Sequence, residues 1–308
     1  ERAVTYKELD RCANRLSRVL VEHGAGPEVC VGLLIDRSIE AIVAMLAIAK
    51  AGATCVHLDS SHPQRRTQQL IQEAKCAIVL VAGGSPELDV NLKILDLDSL
   101  RPTIERQEDS KPARTVASQN LLYVIFTSGS TGHPKGVQVT HENLLSLVQA
   151  ANDLAVFRQD DVWANVHFMA FDLSVWETWI CLLTGGELVV VSTEVARSDD
   201  ALLHLLGTRG VTIFSQTPSA LLELSRRRLD VLTSLPLRML AVGGEQLPRE
   251  LASRLLERGI PAWNFYGPTE ATVWATAQRP GTASLASETV SIGRPLSNTE
   301  VYVLDDDL

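Results

Sequence analysis

No apolar run in the sequence approaches the roughly 20 residues that a bilayer-spanning helix needs. No basic-then-apolar opening of the secretory kind precedes the first helical pattern. Cysteine is scarce: the five, at 12, 30, 55, 76 and 181, are odd in number and contain no Cys-x-x-Cys. That spacing argues against a disulfide framework and for a reducing, cytoplasmic setting, with most of the thiols serving as small hydrophobes. The seven histidines form no ligand-like pair, so no zinc site is expected. Positive charge is in short supply, with 28 Lys and Arg against 37 Asp and Glu, a formal net charge of −9. Nothing concentrates it into a stripe, which argues against a nucleic-acid partner. The basic triplet Arg226-Arg227-Arg228 reads as a solvated helix end. No Gly-x-Gly-x-x-Gly opens a helix after the first strand, which leaves little for a nucleotide-dependent oxidoreductase. Internal repeats and low-complexity tracts are also missing.

What remains is an ordinary globular composition, 45% apolar and 21% charged over 308 residues, long for one core and suited to two. Thr5 and Glu8 form a capping box, and Leu9, Cys12, Ala13, Leu16, Val19 and Leu20 repeat with helical period up to Gly24. A buried-strand run follows at 29–35, then a helix capped by Ser38 that stops at Gly52. Strands are expected at 54–58, 77–81 and 92–97, with a helix starting at Pro63. The polar stretch 100–118 reads as a surface connection between units. Thr140 caps a helix over 141–155. Strands at 162–166, 187–191, 211–214, 238–242 and 261–265 then alternate with helices at 174–183, 199–208, 218–228 and 248–258. Such alternation means an α/β fold with largely parallel sheets. Two α/β lobes are expected, 1–155 and 156–308. The run 301–308 reads as a strand that stops short, so the chain is expected to be a fragment.

The most informative stretch begins with the apolar run Leu122–Phe126. It breaks into Thr127, Ser128, Gly129, Ser130, Thr131, Gly132, His133, Pro134 and Lys135, and a strand-like pattern resumes at Val137. Glycines let the backbone turn tightly and expose its N–H groups, which together with hydroxyls and one ammonium suit a polyphosphate. The common NTPase loop is excluded, because Pro134 precedes Lys135, Gly136 follows it, and a strand rather than a helix comes next. A solvated hairpin loop is the plain alternative; the length of the loop, its lysine and the buried strand before it favour phosphate.

Three further constellations carry chemistry. Phe171-Asp172-Leu173-Ser174 follows a strand and opens a helix, with Trp176 and Trp179 beyond. Asp172 is either a helix cap for Ser174 or Val175 or a carboxylate in an apolar pocket that holds an ammonium. Val242-Gly243-Gly244-Glu245 sits at a strand's end, where glycines permit close approach of a ligand but equally make an ordinary turn. Asn264-Phe265-Tyr266-Gly267-Pro268-Thr269-Glu270 offers an aromatic face and an amide for a purine. Its Thr269 and Glu270 supply oxygens for Mg²⁺ carrying phosphates, although Tyr-Gly-Pro turns without any ligand.

In this order, the motifs resemble those of the adenylate-forming enzymes, which include acyl-CoA synthetases, luciferases and the adenylation domains of nonribosomal peptide synthetases. Val4-Thr5-Tyr6-Lys7-Glu8-Leu9, the run Ala49–Ala53 ending in Leu58-Asp59, and Ser291-Ile292-Gly293-Arg294-Pro295 extend the match over essentially the whole chain. His57 and Ser60 depart from it, standing where that family usually has prolines. The acid at Asp172 resembles the amino-group clamp of amino-acid-activating members, which the acyl-CoA branch generally lacks.

The resemblance implies the N-terminal core of an amino-acid adenylation domain, a ligase that uses ATP and Mg²⁺ in antibiotic-type biosynthesis. Thr127, Ser128, Gly129, Ser130, Thr131, Gly132 and Lys135 would hold phosphates; Gly243, Gly244, Glu245, Asn264, Tyr266 and Gly267 would hold the nucleotide. Thr269 and Glu270 would serve the α-phosphate and Mg²⁺, with Glu270 as the metal ligand; Lys135, Thr269 and Glu270 form the catalytic set. The amino-acid pocket carried over is Phe171, Asp172, Leu173, Trp176, Ser215, Leu240, Val242, Phe265, Val273 and Trp274. Its two indoles and a phenyl ring imply a small side chain, cysteine first, then serine, alanine or glycine. A peptidyl carrier protein with its phosphopantetheine arm is the implied acceptor, and a small MbtH-like accessory protein an implied partner. Family members carry a ribose-binding aspartate, a hinge and a catalytic lysine beyond the equivalent of residue 308, so the chain alone is expected to bind both substrates and turn over poorly. An acyl- or aryl-CoA synthetase-like ligase and a binding-only core are the alternatives.

Overall fold

The Thr5–Glu8 capping box forms as the sequence expects. Thr5 Oγ1 accepts the Glu8 N–H at 3.2 Å while Glu8 Oε2 accepts the Thr5 N–H at 2.8 Å, and α1 (Tyr6–Glu22) follows. The computed structural model describes residues 2–84, 88, 92–113, 115–128, 133–285 and 289–305. It divides into two units, Glu1–Leu144 with Phe168–Phe171, and Leu145–His167 with Asp172–Leu308. The division falls inside the helix His141–Leu154, ahead of the 155/156 boundary read from the sequence.

The first unit continues with β1 (Cys30–Leu34), α2 (Ile39–Lys50), β2 (Thr54–His57), α3 (Gln64–Glu73), β3 (Ile78–Val81), β4 (Lys93–Asp96), α4 (Leu97–Arg106), β5 (Leu121–Ser128), β6 (Pro134–Thr140) and the start of α5 (His141–Leu154). Its six-stranded sheet runs β4-β3-β1-β2-β5-β6, parallel except for the β5–β6 hairpin. Ile78-Val79-Leu80-Val81 is buried along its whole length, as a parallel strand covered on both faces requires. His57, in place of the family's proline, is likewise buried in β2, and desolvation pushes its pKa down to about 4. The stretch 100–118 does not connect the units. Asp96 caps α4 by accepting the Asp98 N–H at 3.2 Å. The segment beyond α4 is tied back to α1 by the Arg11–Asp109 ion pair and by Asn14 Nδ2 donating to the Asp109 carbonyl. Polarity marked exposure correctly here, but an acidic cap outweighed it as a structural signal.

The second unit carries β7 (Val162–Asn165), α6 (Asp172–Val175), a π-helical turn (Trp176–Ile180), α7 (Cys181–Thr184), β8 (Glu187–Val190), α8 (Thr193–Ala196), α9 (Asp199–Thr208), β9 (Ile213–Gln216), α10 (Pro218–Ser234), β10 (Met239–Val242), α11 (Arg249–Glu257), β11 (Ala262–Tyr266), β12 (Thr276–Gln278) and β13 (Arg294–Pro295). The seven-stranded sheet is ordered β13-β12-β11-β10-β9-β7-β8, with its β11–β12–β13 edge antiparallel. The expected α/β class, two largely parallel sheets flanked by helices, is what forms.

Side-chain alternation gives this second sheet two different faces. Ala164, Phe214, Leu240, Val242 and Ala262 share one core with Leu206, Leu221, Leu224 and Leu251 of the covering helices. The pairings Trp163–Ile213, Ser215–Ala241 and Ala241–Trp263 define the opposite face. Arg226-Arg227-Arg228 closes the first helical segment of α10, as expected: the three are exposed and paired with acids, and the helix breaks at Arg228, φ −138°, before it resumes to Ser234. One expectation fails in this unit. Residues 301–305 form no strand, and 306–308 lie outside the described residues.

Candidate active site

In the first unit, β5 and β6 build the stem of the expected phosphate loop. Thr127 pairs with Lys135 and Ser128 with Pro134, and Thr127 Oγ1 donates to the Lys135 carbonyl at 3.4 Å. The loop's own Gly129, Ser130, Thr131 and Gly132 lie outside the described residues. Ser128 and Lys135 are exposed. The next residue, Gly136, packs closely on the stem, where a Cβ would meet Val124 Cγ1 at 3.0 Å and Phe126 Cε1 at 3.2 Å. The hairpin therefore holds an ammonium and hydroxyls at one end of a half-buried stem.

In the second unit Asp172 is the first residue of α6 and is only 9% exposed. Thr269 Oγ1 donates to Asp172 Oδ2 at 2.6 Å. Desolvation raises the Asp172 pKa, opposed by the hydrogen bonds from Thr269 and the Leu173 backbone and by the charge of His167. The sequence reading gave Thr269 to the phosphates; here its proton goes to the carboxylate, and only its lone pairs remain for a cation.

Five residues on lies a group the sequence reading missed. Glu177 is fully buried in the π-helical turn. Its Oε2 accepts from Asn165 Nδ2 at 2.9 Å, the Val166 N–H at 3.1 Å and the His167 N–H at 3.2 Å. Oε1 lies 2.6 Å from His167 Nδ1. The carboxylate thus pins the end of β7 to the helix that begins with Asp172. A signal was available: one acid inside the apolar run Val175–Leu183 must be paired if it is buried. π-helical turns also gather at functional sites.

Trp176, four residues along from Asp172, belongs to an aromatic cluster. Ring centroids are 5.4 Å apart for Trp176 and Phe265, 5.1 Å for Phe265 and Trp274, and 6.3 Å for Trp176 and Trp274. Ser215 and Phe265 belong to this face of the sheet, and Leu173 is buried beside Gly244. Leu240 and Val242 do not belong to it: the register turns both into the helix-covered core. The positions that alternate onto the aromatic face are Ala241 and Gly243, the latter against Trp274 and the Phe265 carbonyl, where a Cβ would meet Trp274 Cη2 at 2.5 Å. The pocket positions that the resemblance implies thus include two, Leu240 and Val242, whose strand register turns them away from the aromatic face. Phe171 is half exposed. Glu245 is also reassigned, because its carboxylate accepts the Ser219 N–H and hydroxyl at the start of α10, whose Thr217 makes no side-chain cap.

The loop after β11 is strained. Thr272 and Val273 both have positive φ, 60° and 69°, a conformation that disfavours β-branched residues and persists where surroundings enforce it. Gly267 is part of that enforcement: a Cβ would meet the Val273 carbonyl at 2.3 Å. Turning back so sharply buries Val273 and Trp274 while leaving Tyr266 and Glu270 exposed. Asn264 donates through Nδ2 to the Ser291 carbonyl at 2.8 Å. No group of three potential metal ligands occurs among the described residues. A Mg²⁺ here fits only as Mg²⁺ usually binds, through one carboxylate such as Glu270, with water and substrate oxygens completing the shell.

Two α/β units, one with an ammonium-bearing hairpin and the other with a buried acid and an aromatic cluster, define the N-terminal core architecture of adenylate-forming enzymes. The chain belongs to the AMP-binding enzyme family, whose profile matches residues 1–308. It is 34% identical to syringomycin synthase SyrB1 of Pseudomonas syringae pv. syringae over 310 residues, covering 99% of this chain and 50% of that protein. Tyrocidine synthase 1 of Brevibacillus parabrevis is 34% identical over 318 residues, covering 100% of this chain and 28% of that protein. The chain therefore spans half or less of the length of these relatives. Among solved structures, the nonribosomal peptide synthetase FmoA3 in its α-methyl-L-serine-AMP bound form matches with a TM-score of 0.90 and 25% identity, over 99% of this chain and 34% of that one. The N-terminal subdomain of Klebsiella oxytoca NpsA shares the fold, with a TM-score of 0.86 and 22% identity over 96% of this chain and 75% of that one.

Proposed function

We propose that this chain binds ATP and an α-amino acid and contributes the N-terminal core that joins them as an aminoacyl adenylate. The substrate carboxylate attacks the α-phosphorus of ATP, a C–O–P bond forms, and the bond to pyrophosphate breaks. Such a displacement needs alignment and charge neutralisation more than covalent help from the protein. Asp172 takes the ammonium, which directs the carboxylate away from the aromatic wall. Lys135 with Thr127 and Ser128 neutralises phosphate oxygens; Tyr266 offers its exposed ring to adenine, and Asn264, its donor already committed, keeps an acceptor for the amino edge. Bound through Glu270, Mg²⁺ supplies charge neutralisation of the phosphates. The acceptor of the aminoacyl group is a peptidyl carrier protein, and an MbtH-like protein is an expected companion.

The observation that carries this reading is the Asp172 carboxylate, 9% exposed, with one hydroxyl bonded to it at 2.6 Å. A buried acid held by the Thr269 hydroxyl and the Leu173 backbone suits an incoming ammonium and gives a fatty or aryl acid nothing to bind. Lys135→Ala is expected to weaken ATP–Mg²⁺ binding about ten-fold, in line with losing one charge-assisted contact. It should leave the melting temperature unchanged, because Lys135 is exposed; calorimetry with and without Mg²⁺ reads both.

For the side chain we infer a small residue, cysteine first and serine, alanine or glycine after it, because Trp176, Phe265 and Trp274 fill the face that Ser215, Ala241 and Gly243 share. Trp274→Gly is expected to admit larger amino acids, with roughly 1–3 kcal/mol gained per accommodated methylene. The preference of the variant across a series from alanine to phenylalanine measures this. An unchanged preference would remove Trp274 from the pocket wall.

A further inference from the structure

The first unit has a second place where its topology opens to ligands. In doubly wound sheets, ligands bind outside the carboxyl ends of strands, where neighbouring strands send their connections in opposite directions. β1 and β3 are such neighbours: the chain leaving β1 returns as β2 on one side, and the chain leaving β3 returns as β4 on the other. A cavity of about 460 Å³ lies there, with Leu34 and Val81 at the strand ends and His62 and Thr67 on its polar side. That volume is within the range of small-molecule sites.

We propose that this cavity binds a small molecule through an oxyanion, a carboxylate or a phosphate, seated on the N-terminus of α3. The helix begins at Gln64 after Pro63 with no side-chain cap and no acid in its first turn. Its first N–H groups therefore point outward with the positive end of the helix dipole. A separate observation is Thr67, one turn in, which is 4% exposed and lines the cavity. Its hydroxyl has no hydrogen-bond partner among the described residues. His62 Nδ1, on the same lining, is also buried without a partner. Buried polar groups are almost always paired; a ligand oxyanion accepts from the Thr67 hydroxyl that faces the cavity and from His62 in its Nδ1–H tautomer.

Gly83 and Gly84 close the other side at φ +79° and +116°, with nothing within 4 Å of a Cβ built on either. The backbone there is open to close approach. The carboxylates of the neighbourhood are engaged elsewhere: Asp36 by the Ser60 hydroxyl, Asp59 by Ser61, and Asp98 by the Gly83 N–H. None of them caps α3. Asp98 on Gly83 already illustrates the preference of this strand end for a carboxylate.

The test is an amide chemical-shift titration of the full chain with inorganic phosphate and, separately, acetate. It is run in a Lys135→Ala background so that the proposed ATP phosphate loop does not contribute, which makes the outcome independent of the adenylation reading. Saturable shifts at Gln64, Arg65 and Gly84 are expected, weakened about five-fold by Thr67→Val, the loss of one hydrogen bond. His62→Ala, on the less buried side, is the second variant should Thr67→Val fail to fold, and a smaller weakening is expected. Saturation by both probes supports an oxyanion site, and saturation by phosphate alone narrows it to phosphate esters. No saturable shift at these amides, or equal shifts in both variants, overturns the proposal.

Discussion

Asp172→Ala is expected to abolish measurable binding of aminoacyl sulfamoyl adenylates while leaving ATP–Mg²⁺ affinity within about two-fold of the parent. Removing one partner of a buried charge pair costs about 2–5 kcal/mol, a loss of roughly thirty-fold or more. Asp172→Asn separates charge from shape, because the amide oxygen can still accept from Thr269 but carries no charge for the ammonium. It should behave like the alanine variant toward amino acids and like the parent in stability. The pH dependence follows from the same geometry. Burial raises the Asp172 pKa above the ordinary carboxylate value, and only the ionised form pairs with an ammonium. Amino-acid affinity therefore falls as the pH drops through that raised value, before an exposed aspartate would protonate. For stability the sign is opposite: the folded chain holds this proton more tightly than the unfolded one, so the ionised group costs stability at neutral pH and the cost is relieved as pH falls. Both dependences should vanish in Asp172→Ala. An affinity that stays flat down to the pKa of a free aspartate would show that the carboxylate is not where the amino group binds.

Glu177→Ala is expected to lower the melting temperature by about 10 °C, the largest stability effect of any single side chain in the site. Four groups lose their acceptor at once: Asn165 Nδ2, the Val166 and His167 N–H groups and His167 Nδ1. Breaking a buried charged network by removing one member costs about 3–5 kcal/mol. In a chain of this size each kcal/mol moves the midpoint by roughly 2–4 °C. Glu177→Gln keeps an oxygen for the three N–H donors and should recover at least half of the loss. Because the same carboxylate fixes the strand end that leads into Asp172, Glu177→Gln should also weaken amino-acid binding more than ATP binding. Calorimetric unfolding and paired titrations measure the two effects; a melting temperature within about 2 °C of the parent in Glu177→Ala would mean the network contributes no net stability.

Much of this was legible in the residues. Period-two and period-3.6 patterns located most of the strands and helices, and capping residues such as Thr5, Ser38 and Thr140 fixed helix starts because each satisfies an N–H that nothing else reaches. The acid at Asp172 stood out because aromatic residues follow it closely in sequence. Facing was harder. Whether Leu240 or Ala241 looks at Trp176 depends on the pairing of three strands far apart in sequence, and a slip of one residue exchanges the two faces. Glu245 misled for a related reason: beside two glycines it looked like part of a nucleotide loop, but the uncapped start of α10 claims it. Glu177 went unseen because its four partners come from a strand end about ten residues earlier, and nothing local announces them. The left-handed Thr272 and Val273 run against local propensity; only the close approach of Gly267 to the Val273 carbonyl explains them.

The most direct test of the account is calorimetric titration of the chain with ATP–Mg²⁺ and with a panel of aminoacyl sulfamoyl adenylates that differ only in side chain. The account predicts that one small-side-chain analogue binds tightly, that the binding is lost in Asp172→Ala, and that ATP binding survives that substitution. Nucleotide binding with no amino-acid preference, unaffected by Asp172→Ala, would contradict it and move the chain to the acyl-CoA branch.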